Sequence, residues 1–510
     1  MKKGLIFGVV LMVGLAVVAL TGCRDRRQAV AAGADISQHV TVRMYLLGDK
    51  SRDFDLVYDE INKILQEKIN TTVEVSFLSW AEHAQRYSLL FAGGEDFDLI
   101  FTASPWAHYE TTASMGGFYV LTPQFLQTFA PDIWNTVPAM AWDQAKLDGN
   151  IYMVPNFSNE FGADVYALRG DLMAKYGYDD ITSFEEVIAF FEKVAEGEAA
   201  AGIRPQGNSA GMLYHYLQDA GYAVMNGSSA ELFLINTQNP ADTAITYLLD
   251  WDRFEQYCLD MQRFFDLGFW SRDSLASQDQ RQDGLLRGTS ASMAWNLGSA
   301  KRFADEANAA HPGWEVTLVD YAQHWPKRVN AYINNGMAIN AAGRNRERAM
   351  MVLNEFYTNK AIYDLAAYGI EGVHWIAEGD RYYRTTAQTG DYGINANCNW
   401  GWNNMNLMRT EFVENPTALD RKYDEILSRW NANVKPAHPL DGFTFDKSNV
   451  TTELSIIDSL IAEFYTPLIS GMASDAPAAL AALRRQLDQA GIARVIDEVN
   501  RQASVFLAGR

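Results

Sequence analysis

Val40 to Gly48 reads VTVRMYLLG, an alternating start that turns fully apolar at Leu46 and Leu47, as a strand buried at its far end does. After it, Phe54, Val57, Ile61, Ile64, Leu65 and Ile69 recur at helical spacing, so residues 54–69 read as an amphipathic helix. Thr72 to Leu78 is a second strand. Ser79 with Glu82 three positions later has the pattern of a capping box, opening a helix toward Ala92 that Gly93 and Gly94 close. Phe97 to Thr102 is a third strand. This alternation predicts an α/β fold with a mostly parallel sheet, because parallel neighbours need crossovers and the helices supply them.

The pattern continues outward. Lys146 to Val154 reads as a hairpin about Asp148-Gly149-Asn150, and Asp164 to Arg169 as a strand before the short helix Asp171 to Tyr176, stopped by Gly177. Ser183 and Glu186 repeat the capping-box pattern before a helix through Ala201. Met212–Ala220, Trp251–Leu267, Arg344–Tyr357, Thr451–Leu468 and Pro477–Leu507 are predicted helices. Ala291 to Trp295 is a predicted strand with a turn at Asn296 to Ser299, and Asn334 and Asn335 interrupt another in YINNGMAIN (Tyr332 to Asn340).

A chain of 510 residues with 48% hydrophobic and 12% aromatic residues has room for two or three domains with sizeable cores. Its 42 Lys+Arg against 63 Asp+Glu leave a net charge of -21, which repels nucleic acid and excludes a general DNA or RNA binder. Three cysteines make no disulfide framework, and no C-x-x-C or Cys/His cluster suggests a metal, so neither metal nor cofactor is expected. Spacing leaves open whether Cys258 and Cys398 pair.

At the N-terminus, Lys2 and Lys3 precede an apolar run from Gly4 to Leu20, the layout of a secretory leader. The run ends in Leu20-Thr21-Gly22-Cys23, which resembles the lipobox of bacterial lipoproteins. That resemblance implies a removed leader over residues 1–22, diacylglycerol on Cys23 and a polar tether over residues 23–39. The protein is then exported and lipid-anchored, on the outer face of the cytoplasmic membrane or in the periplasm.

Catalytic motifs are sparse. Gly207-Asn208-Ser209-Ala210-Gly211 matches G-x-S-x-G, but no apolar strand precedes it to present a nucleophile elbow, so a loop before the helix at Met212 is the stronger reading. Asp96 with Asp98, and Glu185 with Glu186, are carboxylate pairs that a glycosidase could use, although turn solvation and helix capping explain both. H-E-x-x-H, the P-loop and G-x-G-x-x-G are missing.

In chain order, the lipobox, VTVRMYLLG, LLFAGGEDFDLIFT (Leu89 to Thr102), GNIYMVPN (Gly149 to Asn156), VYALRGDLMAKYG (Val165 to Gly177), ITSFEEV (Ile181 to Val187) and LLRGTSASMAW (Leu285 to Trp295) resemble the extracellular solute-binding proteins of ABC importers, family 1, which are maltose-binding-like. YGIEGVHW (Tyr368 to Trp375), GWNN (Gly401 to Asn404) and KPAHPLDGFTFD (Lys435 to Asp446) are similar to the long LipO-like lipoprotein branch. The resemblance implies a type II, two-lobed periplasmic-binding-protein-like fold, hinge-linked, with added C-terminal helices. Lobe 1 takes residues 40–159 with a return segment at about 331–385; lobe 2 takes 160–330 with about 386–510. It also implies a non-catalytic monomer that holds an oligosaccharide between the lobes and hands it to ABC permease subunits. An exported carbohydrate hydrolase using paired carboxylates or Ser209 is the alternative.

Sugars offer apolar faces ringed by hydroxyls, so a binding site needs aromatic platforms with amides and charges around them. Trp80 and Trp106 follow predicted strands, at the ends where open α/β sheets bind ligands, although each could equally cover the sheet. The resemblance places ligand contacts on Trp295 and Asn296. Asn335 beside Asn334 at the expected hinge, Glu371 with His374 and Trp375, and Trp402 and Asn403 with Asn399, Trp400 and Asn404 complete the candidates, with loop or hinge packing the alternative for each. Arg169 could pair an anionic ligand or form a structural salt bridge.

Overall fold

The computed structural model describes residues 35–508 except 105, 210, 226–231, 240, 276, 278, 436–437, 442 and 444. The expected leader, Cys23 and the tether up to residue 34 lie outside the described residues, as do Pro105, Ala210 of the G-x-S-x-G match, and Pro436, Ala437, Gly442 and Thr444 of the KPAHPLDGFTFD stretch.

The strands of the two main sheets are, in chain order, β1 (Val40–Leu47), β2 (Thr71–Leu78), β3 (Leu99–Thr102), β4 (Val154–Pro155), β5 (Asp164–Leu168), β6 (Ser292–Asn296), β7 (Thr317–Val319) and β8 (Gly336–Ile339). The first sheet has the order β2-β1-β3-β8-β4. β1 runs parallel to β2, with Val40 opposite Thr71 and Leu47 opposite Leu78, and parallel to β3, with Met44 opposite Leu99. β8, which arrives from far along the chain, closes the sheet antiparallel to both β3 and β4. The second sheet, β6-β5-β7, is antiparallel throughout, so the expectation of mostly parallel pairing holds only for the first three strands. Its partners come from remote segments, and no short helical crossover dictates their direction.

β5 shows why its sequence is apolar without a break. Tyr166 and Leu168 enter one buried cluster, Val165 and Ala167 another, so helices cover both faces of a strand whose side chains alternate. The first sheet's cluster draws on Val42 to Val154 and then Ala331 to Trp402. It thus runs past the expected return segment: Tyr392, Cys398 and Trp402, placed in the second lobe by the sequence reading, pack with the first. Residues from Leu440 to Ala503 join the second-sheet cluster. Cys258 and Cys398 are free, buried in different clusters.

Several local signals act as expected. Asp148 and Gly149 both take positive φ in a two-residue hairpin turn, and Ser183 and Glu186 form a reciprocal capping box. Others yield to context. Ser79 accepts turn hydrogen bonds through its backbone while the helix itself spans His83–Ala92, and Asn296, expected in a turn, instead caps the helix Leu297–Ala310 by accepting from Ser299 N–H at 2.9 Å. Thr451–Leu460 passes through a π-helical turn at Ile461–Tyr465 ahead of Pro467, whose missing N–H breaks the ladder. The last predicted helix divides into Ala476–Gln489 and Ile492–Ala508 at Gly491, where φ is +85°.

Candidate functional site: an aromatic platform, a hinge and a polar cavity

At the carboxyl ends of β2 and β3, three tryptophans gather. Trp80 and Trp400 stack nearly parallel, centroids 6.2 Å apart and planes 10° apart, and Trp106 stands 6.4 Å from Trp80. Phe101 on β3 supports both Trp106 and Trp400. Gly48 ends β1 at φ +111°, and a Cβ there would come within 3.2 Å of Trp80 Nε1, so glycine is what lets the indole lie against the strand end. Trp80 and Trp106 remain 42% and 38% exposed, large apolar faces in solvent at the end of a sheet where α/β folds take ligands.

The platform is wired to the hinge. Trp106 Nε1 donates to the Asn334 carbonyl at 3.0 Å, and Asn334 and Asn335 donate their side-chain amides to Glu160 Oε2 at 2.6 and 3.2 Å. Backbone pairing of Gly162 N–H with Arg328 O and of Asn330 N–H with Glu160 O joins the two crossing strands. A third crossing follows Trp402: Phe157 N–H donates to Asn403 O and Met405 N–H to Phe157 O, both at 2.7 Å. Burial raises the Glu160 carboxyl pKa, against the hydrogen bonds from its three asparagine neighbours.

On the far side of the hinge, a cavity of about 340 Å³ opens between Phe161, Asp164, Tyr214, Arg281, Trp295 and Trp325, with Asn330 of the hinge on its wall. Trp295 stacks on Phe303 at 5.9 Å, and the Arg281 guanidinium lies 5.2 Å over its ring. The other cations of the wall are engaged: buried Lys327 pairs with Asp320 at 3.2 Å, and Arg328 with Asp441 at 2.5 Å. Arg281 forms no ion pair or hydrogen bond with a described residue. Burial raises the Asp164 pKa, and Arg281 partly opposes this. One ring face, one carboxyl and one guanidinium thus converge on a space large enough for a sugar unit. Among the described residues no group of three or more His, Cys, Asp or Glu could hold a metal ion.

Residues 439–508 match the family described as a domain of unknown function, DUF3502. A carbohydrate ABC transporter substrate-binding protein of Streptococcus pneumoniae serotype 4 is 23% identical over 495 residues, 96% of each chain. The crystal structure of an N-glycan transport solute-binding protein (NgtS) from Streptococcus pneumoniae aligns with a TM-score of 0.72 at 21% identity, over 92% of this chain and 99% of that one. The chain has the two-lobed fold of the ABC-transporter solute-binding proteins. An extracellular solute-binding protein from Bifidobacterium longum subsp. infantis shares this fold with a TM-score of 0.65 at 12% identity, over 93% of this chain and 100% of that one. The relatives are binding proteins, and no described helix is long and apolar enough to cross a membrane.

Within this solute-binding-protein fold some of the residues singled out by sequence reach the two surfaces and others do not. Trp80 and Trp106 share the platform; Trp295 and Asn296 line the cavity. Asn335 is buried beside Asn334 on Glu160 and serves the hinge. Trp375 is a correction: it is buried, Nε1 bonded to Gly369 O at 2.9 Å, with Arg409 over its ring. Glu371 is exposed on the same loop but joins neither surface, and His374 is buried with Nε2 on Asp53 at 3.2 Å. Trp402 is also a correction: in the short 3₁₀ turn Asn399–Trp402 it points into the core against Phe356 at 5.0 Å, while Trp400, two residues earlier, takes the platform position. Asn403 is a backbone partner of Phe157, and its side chain meets Tyr363 at 3.4 Å. Arg169 pairs bidentately with Asp171 under Trp314. Sequence reasoning missed Glu160, Asp164, Tyr214, Arg281 and Trp325; each is an ordinary residue type in an ordinary stretch, with no periodic signal to mark it.

Three of the four candidate carboxylates, and the loop of Ser209, have structural roles. Asp98 accepts from the backbone N–H groups of Arg43 and Asn345, Asp96 pairs with Arg43, and Glu186 is consumed by the capping box. The Ser209 carbonyl accepts the Met212 N–H in a loop, not a strand-to-helix elbow.

Proposed function

We propose that this protein is a receptor that captures a neutral oligosaccharide between its lobes and delivers it to an ABC permease. The observation that carries this reading is the pairing of an exposed tryptophan platform with a polar, Trp-lined cavity, one on each side of a hinge whose Glu160 and asparagines contact both. Relatives support it: structures of NgtS hold Man1GlcNAc and Man5GlcNAc, and another neighbour holds kestose. Solute closes the lobes by touching both surfaces at once, and no residue performs a covalent step. We assign the first lobe to residues 40–156 and 332–402, and the second to 162–328 and 418–508.

The test is calorimetric titration and thermal shift of the full chain against oligosaccharides, monosaccharides, peptides and polyamines, with product analysis. At 100 times Kd a ligand adds about 2.7 kcal/mol to the native state. Saturable binding of an intact oligosaccharide supports the receptor; cleavage that stops in Ser209→Ala or a carboxylate variant supports the hydrolase instead. We further propose that the protein acts as a monomer, held by lipid on Cys23 to the outer face of the cytoplasmic membrane or in the periplasm.

A further inference from the structure

A second, smaller cavity of about 50 Å³ adjoins the Trp295 cavity and shares Asp164, Gly211 and Arg281 with it. It is lined by the glycine-rich stretch that mimics a nucleophile elbow, through Gly207 and Asn208, and by Gln206, His215, Met293 and Ala294. Two of its polar groups are built in and buried. Gln206 is 6% exposed; its Nε2 donates to the Tyr166 hydroxyl at 3.0 Å, and its Oε1 has no partner among the described residues. His215 is 1% exposed, and its Nδ1 lies 2.8 Å from the Tyr321 hydroxyl. Burial lowers the His215 pKa to about 3, so the ring is neutral and carries one proton. Donation from the Tyr321 hydroxyl to Nδ1 would place that proton on Nε2, the atom nearest Gly211 on the cavity wall, and we assign this tautomer as part of the inference below.

We infer that this annex receives the acetamido group of an N-acetylated sugar. The inference rests on the sugar-receptor reading above and names the class of sugar. A buried acceptor and a buried donor lie beside the Ala294 side chain, and a buried polar atom without a partner is costly. An acetamido group offers its N–H to Gln206 Oε1, its carbonyl to His215 Nε2–H and its methyl to Ala294. A plain hydroxyl leaves the apolar floor uncovered. A carboxylate could pair with Arg281 on the shared wall, but the acceptor Gln206 Oε1 and the Asp164 carboxyl face it with the wrong sign, and Asp279 is already held by Arg287.

The matched probes are chitotriose and cellotriose, which share one β-linked backbone and differ in acetamido against hydroxyl. Titrated into the full chain, chitotriose is expected to bind at least tenfold more tightly. Gln206→Met removes the acceptor and is expected to abolish the preference. Gly207→Ala guards against misfolding, since a Cβ at Gly207 meets no atom within 4 Å and so enters open space; it is expected to weaken chitotriose while leaving cellotriose unchanged. Equal affinities, a preference for cellotriose, or binding of neither while other oligosaccharides bind overturns the annex and leaves the receptor standing. Failure of every sugar to bind overturns the receptor reading itself.

Discussion

Replacing Trp80 by alanine separates a ligand platform from a sheet cover. The ring is 42% exposed, and a tryptophan carries up to about 250 Å² of surface, so about 100 Å² is open for a ligand to cover. At about 25 cal/mol per Å² this sets a ceiling of about 2.5 kcal/mol, or roughly 70-fold in Kd; a sugar covering half of it gives about tenfold. Trp402→Ala is the contrasting variant. Its ring is 1% exposed, so truncation is expected to cost about 3–5 kcal/mol of stability with little direct effect on affinity per folded molecule. Isothermal titration with an oligosaccharide that the wild type binds, beside thermal unfolding of each variant, reads both quantities. If Trp80→Ala binds every such ligand within twofold of wild type, the exposed indole is not a binding surface and the platform argument fails.

Other outcomes follow from single contacts. Burial depresses the folded pKa of His215 to about 3, below the ordinary histidine value of about 6.5, so its contribution to stability is present above pH 6.5 and is lost as pH falls toward 3. Urea unfolding between pH 7 and 4.5 is expected to show a slope of up to about 1.4 kcal/mol per unit that His215→Gln flattens; an unchanged slope counts against the neutral ring. Asp98 accepts from Arg43 N–H at 3.0 Å and from Asn345 N–H and Nδ2 at 3.1 and 3.2 Å, so Asp98→Ala strands three donors and is expected to cost about 3–5 kcal/mol by urea unfolding. Cys23→Ser is expected to move the protein from the membrane fraction to the soluble one and to end labelling by palmitate, whereas an unchanged distribution refutes the anchor.

How far the sequence could be read depended on the range of the interaction. Spacing rules located the first strands and helices, because period and capping act within a few residues, and the helix Met212–Ala220 begins and ends where Gly211 and Gly221 stand. They located Trp80 and Trp106, which owe their exposure to the ends of their own strands. They did not distinguish Trp400 from Trp402. Both rings belong to one loop, and only the 3₁₀ turn about Asn399, packed under β8, turns one out and the other in. The same limit hid Asp164 and Arg281, more than a hundred positions apart in the chain, whose convergence exists only once β5 and β6 pair. It likewise merged two helices across Gly491, since a helical period persists through a break that the backbone alone registers.

Closure must draw its energy from contacts absent in the open state, and the placement of the two surfaces decides which those are. A ligand resting on Trp80 and Trp106 alone gains the same contact whether the lobes are apart or together, and a ligand with equal affinity for both states shifts nothing. On the proposed reading, the differential term comes from the cavity around Trp295, Asp164 and Arg281, engaged by the same molecule as the hinge brings the lobes together. Glu160 is the joint through which this passes, since Asn334 bonds it from the side chain while the Asn334 carbonyl holds Trp106. On that proposal, platform residues set how tightly solute is first held, and cavity residues set how far holding it favours the closed form.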